Sequence, residues 1–397
     1  MMLQAVITSS THPEYGETAI PFPIPDEDYE RTMELLKGLD IGDVLAQDCR
    51  IVELASQYPV LDRLEGAAVN VDELDYLAKR LESFCKSEDD QFLAMAHKMN
   101  LTDIKDFINL TFCCQQATVI TNFSDLERVG WSHRMNINGG TMPMEEYNAL
   151  DGRQEALKLI LNERGIITPY GVVYDNGMKL EPLYDGRHFP SYLHKPPVLA
   201  LETVSDDAEG FFCLPMPERQ MQRMIERTGL KNQSIPLKIV MDELPETVGE
   251  SLDIEHLCSD ALPVLNRMCQ TIEPLKKADM EKLNAVVLMA EAGDMMAVRQ
   301  LAANLDQFDF IPNIHTPEEY GRYMIQESGR FSYDENLVDF YDYRHYGEQR
   351  VQAEGGQFNK CGYVAYAGTI PLEELMQDDP AGQRQQEPGM QMGGAAW

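Results

Sequence analysis

The chain is expected to fold as a mixed α+β protein, an elongated multi-domain chain of small antiparallel sheets and helical bundles built as two duplicated modules. Three observations predict this. The sequence overlays itself at one long displacement, apolar stripes at helical spacing fill the middle of each copy, and short strands with turn signals flank those stripes. When Leu74 falls on Leu265, a displacement of 191 positions, Lys86 meets Lys277, Ala94 meets Ala285 and Asp103 meets Asp294. Leu110, Glu127, Gly130 and Asp151 meet Leu301, Glu318, Gly321 and Asp342, and Glu163, Gly165, Gly171 and Val173 meet Glu354, Gly356, Gly362 and Val364. The period is far longer than that of a solenoid repeat, so the reading is two whole modules.

Each element of the first copy follows from local pattern. Leu3 to Thr8 and Thr18 to Phe22 read as strands, Asp26 to Gly38 as a helix with Tyr29, Met33 and Leu36 on one face, and Arg50 to Leu54 as a further strand. Phe22-Pro23-Ile24-Pro25 resembles Leu214-Pro215-Met216-Pro217, and Cys49-Arg50-Ile51-Val52 resembles Leu237-Lys238-Ile239-Val240. Three helical stripes come next: Leu74, Leu77, Leu81 and Phe84; then Phe92, Met95, Ala96 and Met99, with Ser87 as the expected cap; then Ile104, Phe107 and Ile108. Their counterparts are Leu265–Met268–Ile272, Leu283–Val286–Val287–Ala290 and Met295–Val298–Leu301, all read as core. Thr316-Pro317-Glu318-Glu319 is a helix start in which Thr316 caps and Glu319 reaches back. Each module should close with a helix and a hairpin. In the first, Gly171 to Tyr174 and Lys179 to Glu181 flank Asn176-Gly177; in the second, Gly362 to Tyr366 corresponds.

The expected boundaries are 1–70 (small α+β), 71–140 (helical), 141–195 (helix plus hairpin), 196–262 (second small α+β), 263–328 (second helical), 329–375 (C-terminal helix and strand) and 376–397 (disordered tail). Tyr184 to Pro197 reads as the connection between modules, Ser205 to Gly210 as a polar loop, and the Gly-, Gln- and Pro-rich end as disordered.

Charge is the strongest compositional signal. Sixty-six acidic residues against 33 basic ones give a formal net charge of −33. Such a chain repels nucleic acid and anionic membranes, so its natural partners are cations or basic protein surfaces. Hydrophobic residues make up 44%, enough to build cores. The eight cysteines lack metal-ligand spacing and read as reduced, buried thiols. The opening residues lack the basic and apolar runs of a signal peptide, and no stretch reaches the ~20 apolar residues of a membrane span; a cytoplasmic location is expected. His133, His188, His194, His256, His315 and His345 show no zinc spacing, no glycine-rich phosphate loop is present, and Asp175-Asn176-Gly177 lacks the ligands of a calcium loop. No catalytic residue, metal or cofactor is expected.

The acids fall in clusters. Asp26, Glu27, Asp28 and Glu30 precede or open a helix; Asp72, Glu73 and Asp75 open another; Glu88, Asp89 and Asp90 a third. Asp242, Glu243, Glu246, Glu250, Asp253 and Glu255 span a loop and a helix entry, and Glu318, Glu319, Asp334, Glu335, Asp339 and Asp342 line an aromatic-rich segment. Two readings compete. Acids at helix starts complement the helix dipole by about 0.3–1 kcal/mol whatever the function. Alternatively they form a surface imitating DNA. At about one charge per 1.7 Å of duplex axis, the net charge would match about 56 Å, roughly sixteen base pairs.

Glu318-Glu319-Tyr320-Gly321-Arg322-Tyr323-Met324-Ile325, then Phe340-Tyr341-Asp342-Tyr343-Arg344-His345-Tyr346-Gly347, then Gly362-Tyr363-Val364 resembles the C-terminal part of ArdA antirestriction proteins. The stretch from Leu265 to Phe310 is similar to the middle of that family. The first copy is a degenerate relative, with Val129-Gly130 for Tyr320-Gly321 and Leu150-Asp151-Gly152 for Tyr341-Asp342-Tyr343. The resemblance covers about residues 211–368, more weakly 1–175. It implies small α+β domains lined with carboxylates that dock in the DNA groove of type I restriction–modification enzymes, with no catalysis. Family members are usually single modules that dimerise; two modules in one chain could replace that dimer or add to it. The competing expectations are an acidic regulator that sequesters another basic DNA-binding protein (a nucleoid protein, a nuclease or a defence complex) and an enzyme without a marked nucleophile.

Overall fold

A computed structural model describes residues 2–205, 208–231, 233–252 and 256–377, apart from the side chain of Leu337. Asp206 and Asp207 of the polar loop, and the tail from 378 to 397, lie outside the described residues. The fold is α+β, with helices and four small antiparallel sheets. Contacts cluster into two units, one made of Met1–Pro196, Ser205–Phe212 and Met216–Gln233, the other of Pro197–Val204, Cys213–Pro215 and Ser234–Trp397.

The first unit opens with β1 (Leu3–Ser9), β2 (Glu17–Phe22), α1 (Tyr29–Gly38), β3 (Cys49–Ser56) and β4 (Ala68–Val69), whose strands form one sheet of order β2-β1-β3-β4. Alternation along β1 buries Leu3, Ala5 and Ile7 against Tyr29, Met33 and Leu36 of α1 in the main core. Next come α2 (Val71–Glu82), α3 (Lys86–Met99) and α4 (Ile104–Leu110), whose stripes Leu74–Leu77–Leu81, Phe92–Met95–Ala96 and Ile104–Phe107–Ile108 enter the same core. A second sheet, β5-β7-β6, joins β5 (Thr118–Ile120), β6 (Ile166–Thr168) and β7 (Gly171–Tyr174), with α5 (Leu126–Ile137), α6 (Met144–Ala149) and α7 (Gly152–Asn162) between β5 and β6. The unit also contains α8 (Glu218–Thr228).

The other unit has β8 (Leu199–Thr203), β9 (Phe211–Leu214) and β10 (Leu237–Asp242) in a sheet of order β10-β8-β9, with Cys213–Pro215 its part of the β9 segment. It continues through α9 (Glu246–Ser251), α10 (Leu262–Ile272), α11 (Lys277–Ala290) and α12 (Met295–Ala303). It ends with β11 (Phe308–Pro312), α13 (Pro317–Gln326), α14 (Tyr343–Glu354), β12 (Gln357–Asn359), β13 (Gly362–Tyr366) and α15 (Leu372–Leu375), in a sheet of order β11-β13-β12.

Registers recur at the displacement of the overlay. Thr118 pairs with Tyr174, Ile120 with Val172 and Ile166 with Val173; Asp309 pairs with Ala365, Ile311 with Tyr363 and Gln357 with Val364. The ladder skips Val52 in β3 and Val240 in β10, a bulge in each. α3 ends at Asn100 and α11 at Glu291, both with φ near +50°.

Two local expectations are corrected. α3 is capped at Cys85, not Ser87: Glu88 reaches back to the Cys85 amide at 2.9 Å, so the helix starts earlier than Ser87 would allow. The hairpin is β6–β7, not a pair across Asn176-Gly177. Those two residues do take positive φ, 54° and 76°, but the turn leads out of the sheet, because β7 already has β5 and β6 on its two edges.

Candidate interaction surface

Most acids of the three predicted clusters in the first unit are committed to the fold. Asp26, Glu27, Asp28 and Glu30 are exposed around the start of α1. Asp26 accepts from Lys195 at 2.5 Å, and Glu30 and Glu34 hold Arg219 at 3.3 and 2.9 Å; Glu27 and Asp28 form no ion pair among the described residues. At α2, Asn70 and Glu73 form a capping box, and Asp72 accepts both arms of Arg223 at 2.9 Å each.

Glu73 and Asp75 are each 5% exposed, which corrects their assignment to a partner-facing surface. Glu73 accepts from the Asn70 amide and the Tyr184 hydroxyl, and burial raises its pKa. Asp75 accepts from the Ile24 amide at 2.7 Å and from Lys79 at 2.8 Å. Side chains at the first turn of a helix sit beside free amides, and the fold uses these two there. In α3, Glu88 serves the Cys85 cap and Gln115, Asp89 accepts from the Tyr58 hydroxyl at 2.5 Å, and Asp90 pairs with Lys86 at 2.7 Å.

Sequence reading missed the cations that answer these acids. Arg219, Arg223 and Arg227 recur every fourth residue along one face of α8, a spacing visible in the sequence. Arg227 is 2% exposed; it donates to the carbonyls of Val44, Gly186 and Arg187, to Asn70 and to the Tyr184 hydroxyl, while Phe189 lies 4.3 Å under its guanidinium.

The second unit is different. Asp242, Glu243, Glu246, Glu250, Glu318, Glu319, Asp334, Glu335, Asp339 and Asp342 are all exposed. Lys360 reaches Glu246 and Glu250 at 3.5 and 3.1 Å, and Arg322 approaches Glu318 at 3.6 Å. Among the described residues, Asp242, Glu243, Glu319, Asp334, Glu335, Asp339 and Asp342 have no ion-pair partner. Asp253 and Glu255 lie outside the described residues. Several of these carboxylates are fixed by backbone. Glu319 accepts from the His315 amide at 2.7 Å and closes the Thr316 capping box, and the His315 amide holds its carboxyl below the usual range. Asp334 accepts from the Asn336 amide at 2.9 Å and Asp342 from the His345 amide at 3.0 Å. From 306 to 342, Asp306, Asp309, Glu318, Glu319, Glu327, Asp334, Glu335, Asp339 and Asp342 stand against Arg322 and Arg330 alone.

Several glycines and tyrosines of the motifs that carried the resemblance are packing positions, whereas Phe340 and Tyr341 are exposed. A Cβ on Gly321 would meet the Tyr343 carbonyl oxygen at 2.0 Å, and one on Gly347 the Pro317 oxygen at 1.8 Å, so α13 and α14 cross backbone to backbone. Gly130 makes the same approach to Gly152 and Ala156, where α5 crosses α7. Tyr320 and Tyr363 stack with centroids 4.1 Å apart and both donate to Glu354 at 2.6 Å; burial pushes the Tyr320 hydroxyl up to about 12. Burial likewise raises the thiols of Cys49, Cys113 and Cys114, and brings that of Cys269 to about 12, so these sulfurs pack as protonated side chains. Among the described residues no group of three His, Cys, Asp or Glu side chains could hold a metal ion, and no helix is long and apolar enough to cross a membrane. No protein-family model matches the chain, and no curated protein matches it significantly.

Proposed function

We propose that this protein is a non-enzymatic antirestriction DNA mimic of the ArdA type, which occupies the DNA-binding groove of a type I restriction–modification enzyme in the cytoplasm. The observation that carries the reading is the run of exposed carboxylates from Asp306 to Asp342, several held by helix-cap hydrogen bonds and most lacking a cation. Charges fixed before docking lose less side-chain freedom on binding. A groove built for phosphates presents Lys and Arg that such charges can answer. The exposed acids of the second unit without a cation favour it as the partner-facing one, whereas in the first unit Asp26, Glu30 and Asp72 are answered by Lys195, Arg219 and Arg223. We also propose that the two copies arose by duplication. The recurring registers, bulges and helix crossings support that origin.

The test is titration of the protein against a type I methyltransferase core. Binding is expected at low salt, weakening by about a hundredfold or more between about 50 and about 200 mM salt, as matched charge arrays do. Absence of binding at the lower salt, or affinity indifferent to salt, overturns the proposal.

A further inference from the structure

We propose that Phe340 takes the place of an extruded base in the target-base pocket of the methyltransferase. This rests on the DNA-mimic reading above and adds to it one residue and one pocket. Phe340 ends a short helical turn, Glu335–Phe340, whose start is capped by Asp334, and two residues later Asp342 caps α14. Backbone hydrogen bonds to those two aspartates pin the segment at both ends. The Phe340 side chain is 80% exposed. Its aromatic neighbours are turned inward: Phe331 lies edge-on to Tyr346 at 6.2 Å, and Tyr341 lies against Tyr343 at 5.8 Å. Among the described residues no ring stacks on Phe340, so one ring projects alone and suits a pocket better than a flat apolar face. The first copy shows that the fold does not require it. Asn148, Ala149, Leu150 and Asp151 stand 191 positions before Asp339, Phe340, Tyr341 and Asp342. The capping aspartate is present in both copies, whereas the projecting ring and the acid before it occur in the second alone.

The flanking charges select the pocket. Asp339 and Asp342 bracket the aromatic pair, and both are exposed. An enzyme that methylates a base swings the nucleotide out of the duplex: its phosphates stay on the cations of the groove while the base enters a snug pocket between aromatic and apolar side chains. Anion, ring and anion follow one another in the same order from Asp339 to Asp342. The groove's cations answer the two acids, and a pocket that holds a base accepts a single six-membered ring and buries its faces. An aromatic anchor seated in a desolvated pocket is also the kind of contact that dominates the energy of an interface.

A double-mutant cycle between the full chain and a type I methyltransferase core, read as affinity at low salt, tests this. Phe340→Ala is expected to bind the core at least about tenfold more weakly than the parent. Its salt slope should equal the parent's, because no charge is removed, and so should its melting temperature, because the ring is exposed. Phe331→Ala should bind like the parent. Against a core whose base-stacking aromatic is replaced by Ala, and which still melts like the unaltered core, Phe340→Ala should cost little, since the wall the ring rests on is gone. Phe340→Trp should keep the parent affinity, and its emission, read against the two native tryptophans, should move to the blue on binding. Undiminished affinity of Phe340→Ala, a loss of equal size against both cores, or an unmoved Phe340→Trp emission each overturns the inference and leaves the DNA-mimic reading standing. A parent chain that does not bind at low salt overturns both.

Discussion

Arg227 places a guanidinium in the interior of the first unit and spends its donors on carbonyls, an amide oxygen and a phenol. Replacing it with Met would strand those buried acceptors. The expected cost is about 3–5 kcal/mol, read as a lower urea midpoint. Arg227→Lys should recover only a minor part, because an ammonium cannot reproduce the planar fork. His133 supplies a pH dependence. It is 7% exposed, beside the Thr118 hydroxyl at 3.0 Å. Burial lowers its pKa, outweighing the opposite pull of Glu163 and Glu155, and Arg134 lowers it further. The unfolded imidazole takes up a proton near its ordinary value of about 6.5 while the folded one resists. Its contribution is therefore complete above that value and is lost as pH falls below it, towards the folded pKa. Burial acts on His194 in the same direction. The melting temperature should drop between about pH 7.5 and about pH 5.5, and His133→Gln should flatten part of that slope.

The helix crossings show what a residue pattern can and cannot convey. Gly321→Ala must separate α13 from α14, since its methyl would enter the space of the Tyr343 oxygen; a loss of about 3 kcal/mol is expected. Gly293→Ala, with nothing within 4 Å of the new methyl, should leave the melting curve unchanged. A comparable loss at both sites would argue against the crossing as the cause. The amphipathic stripes of α2, α3 and α4 were legible because burial of one helix face repeats every three or four residues, and Thr316 was legible because its capping box is local. The three-residue strands β5 and β6 were not. A run that short carries no period, and its place depends on β7, which for β5 lies some fifty residues away. Asn176-Gly177 marked a real turn, yet turn chemistry alone does not say which strands a turn joins.

Across the whole molecule, net charge was visible from composition, but its distribution between bound and free was not. Asp72 meets Arg223 and Glu30 meets Arg219 across more than 150 residues of sequence, a pairing no local pattern encodes. Glu73 and Asp75 looked like surface acids because a helix start and a docking face draw on the same residue types. This division makes the proposed function separable by unit. Asp334→Asn/Glu335→Gln/Asp339→Asn/Asp342→Asn removes four charges from the second unit and keeps both caps, since Asn caps a helix as well as Asp does. Glu27→Gln/Asp28→Asn removes unpaired charge from the first. If the second unit faces the phosphate-binding groove, the fourfold variant should bind a type I methyltransferase core at least about tenfold more weakly at low salt, and its salt slope should fall by up to about 0.9 for each carboxylate that no longer answers a cation of the groove. The twofold variant should bind like the parent. Equal losses per charge removed would instead mean that the partner senses net charge without reading the surface. A fourfold variant with parent affinity and parent slope would remove the segment from Asp334 to Asp342 from the interface.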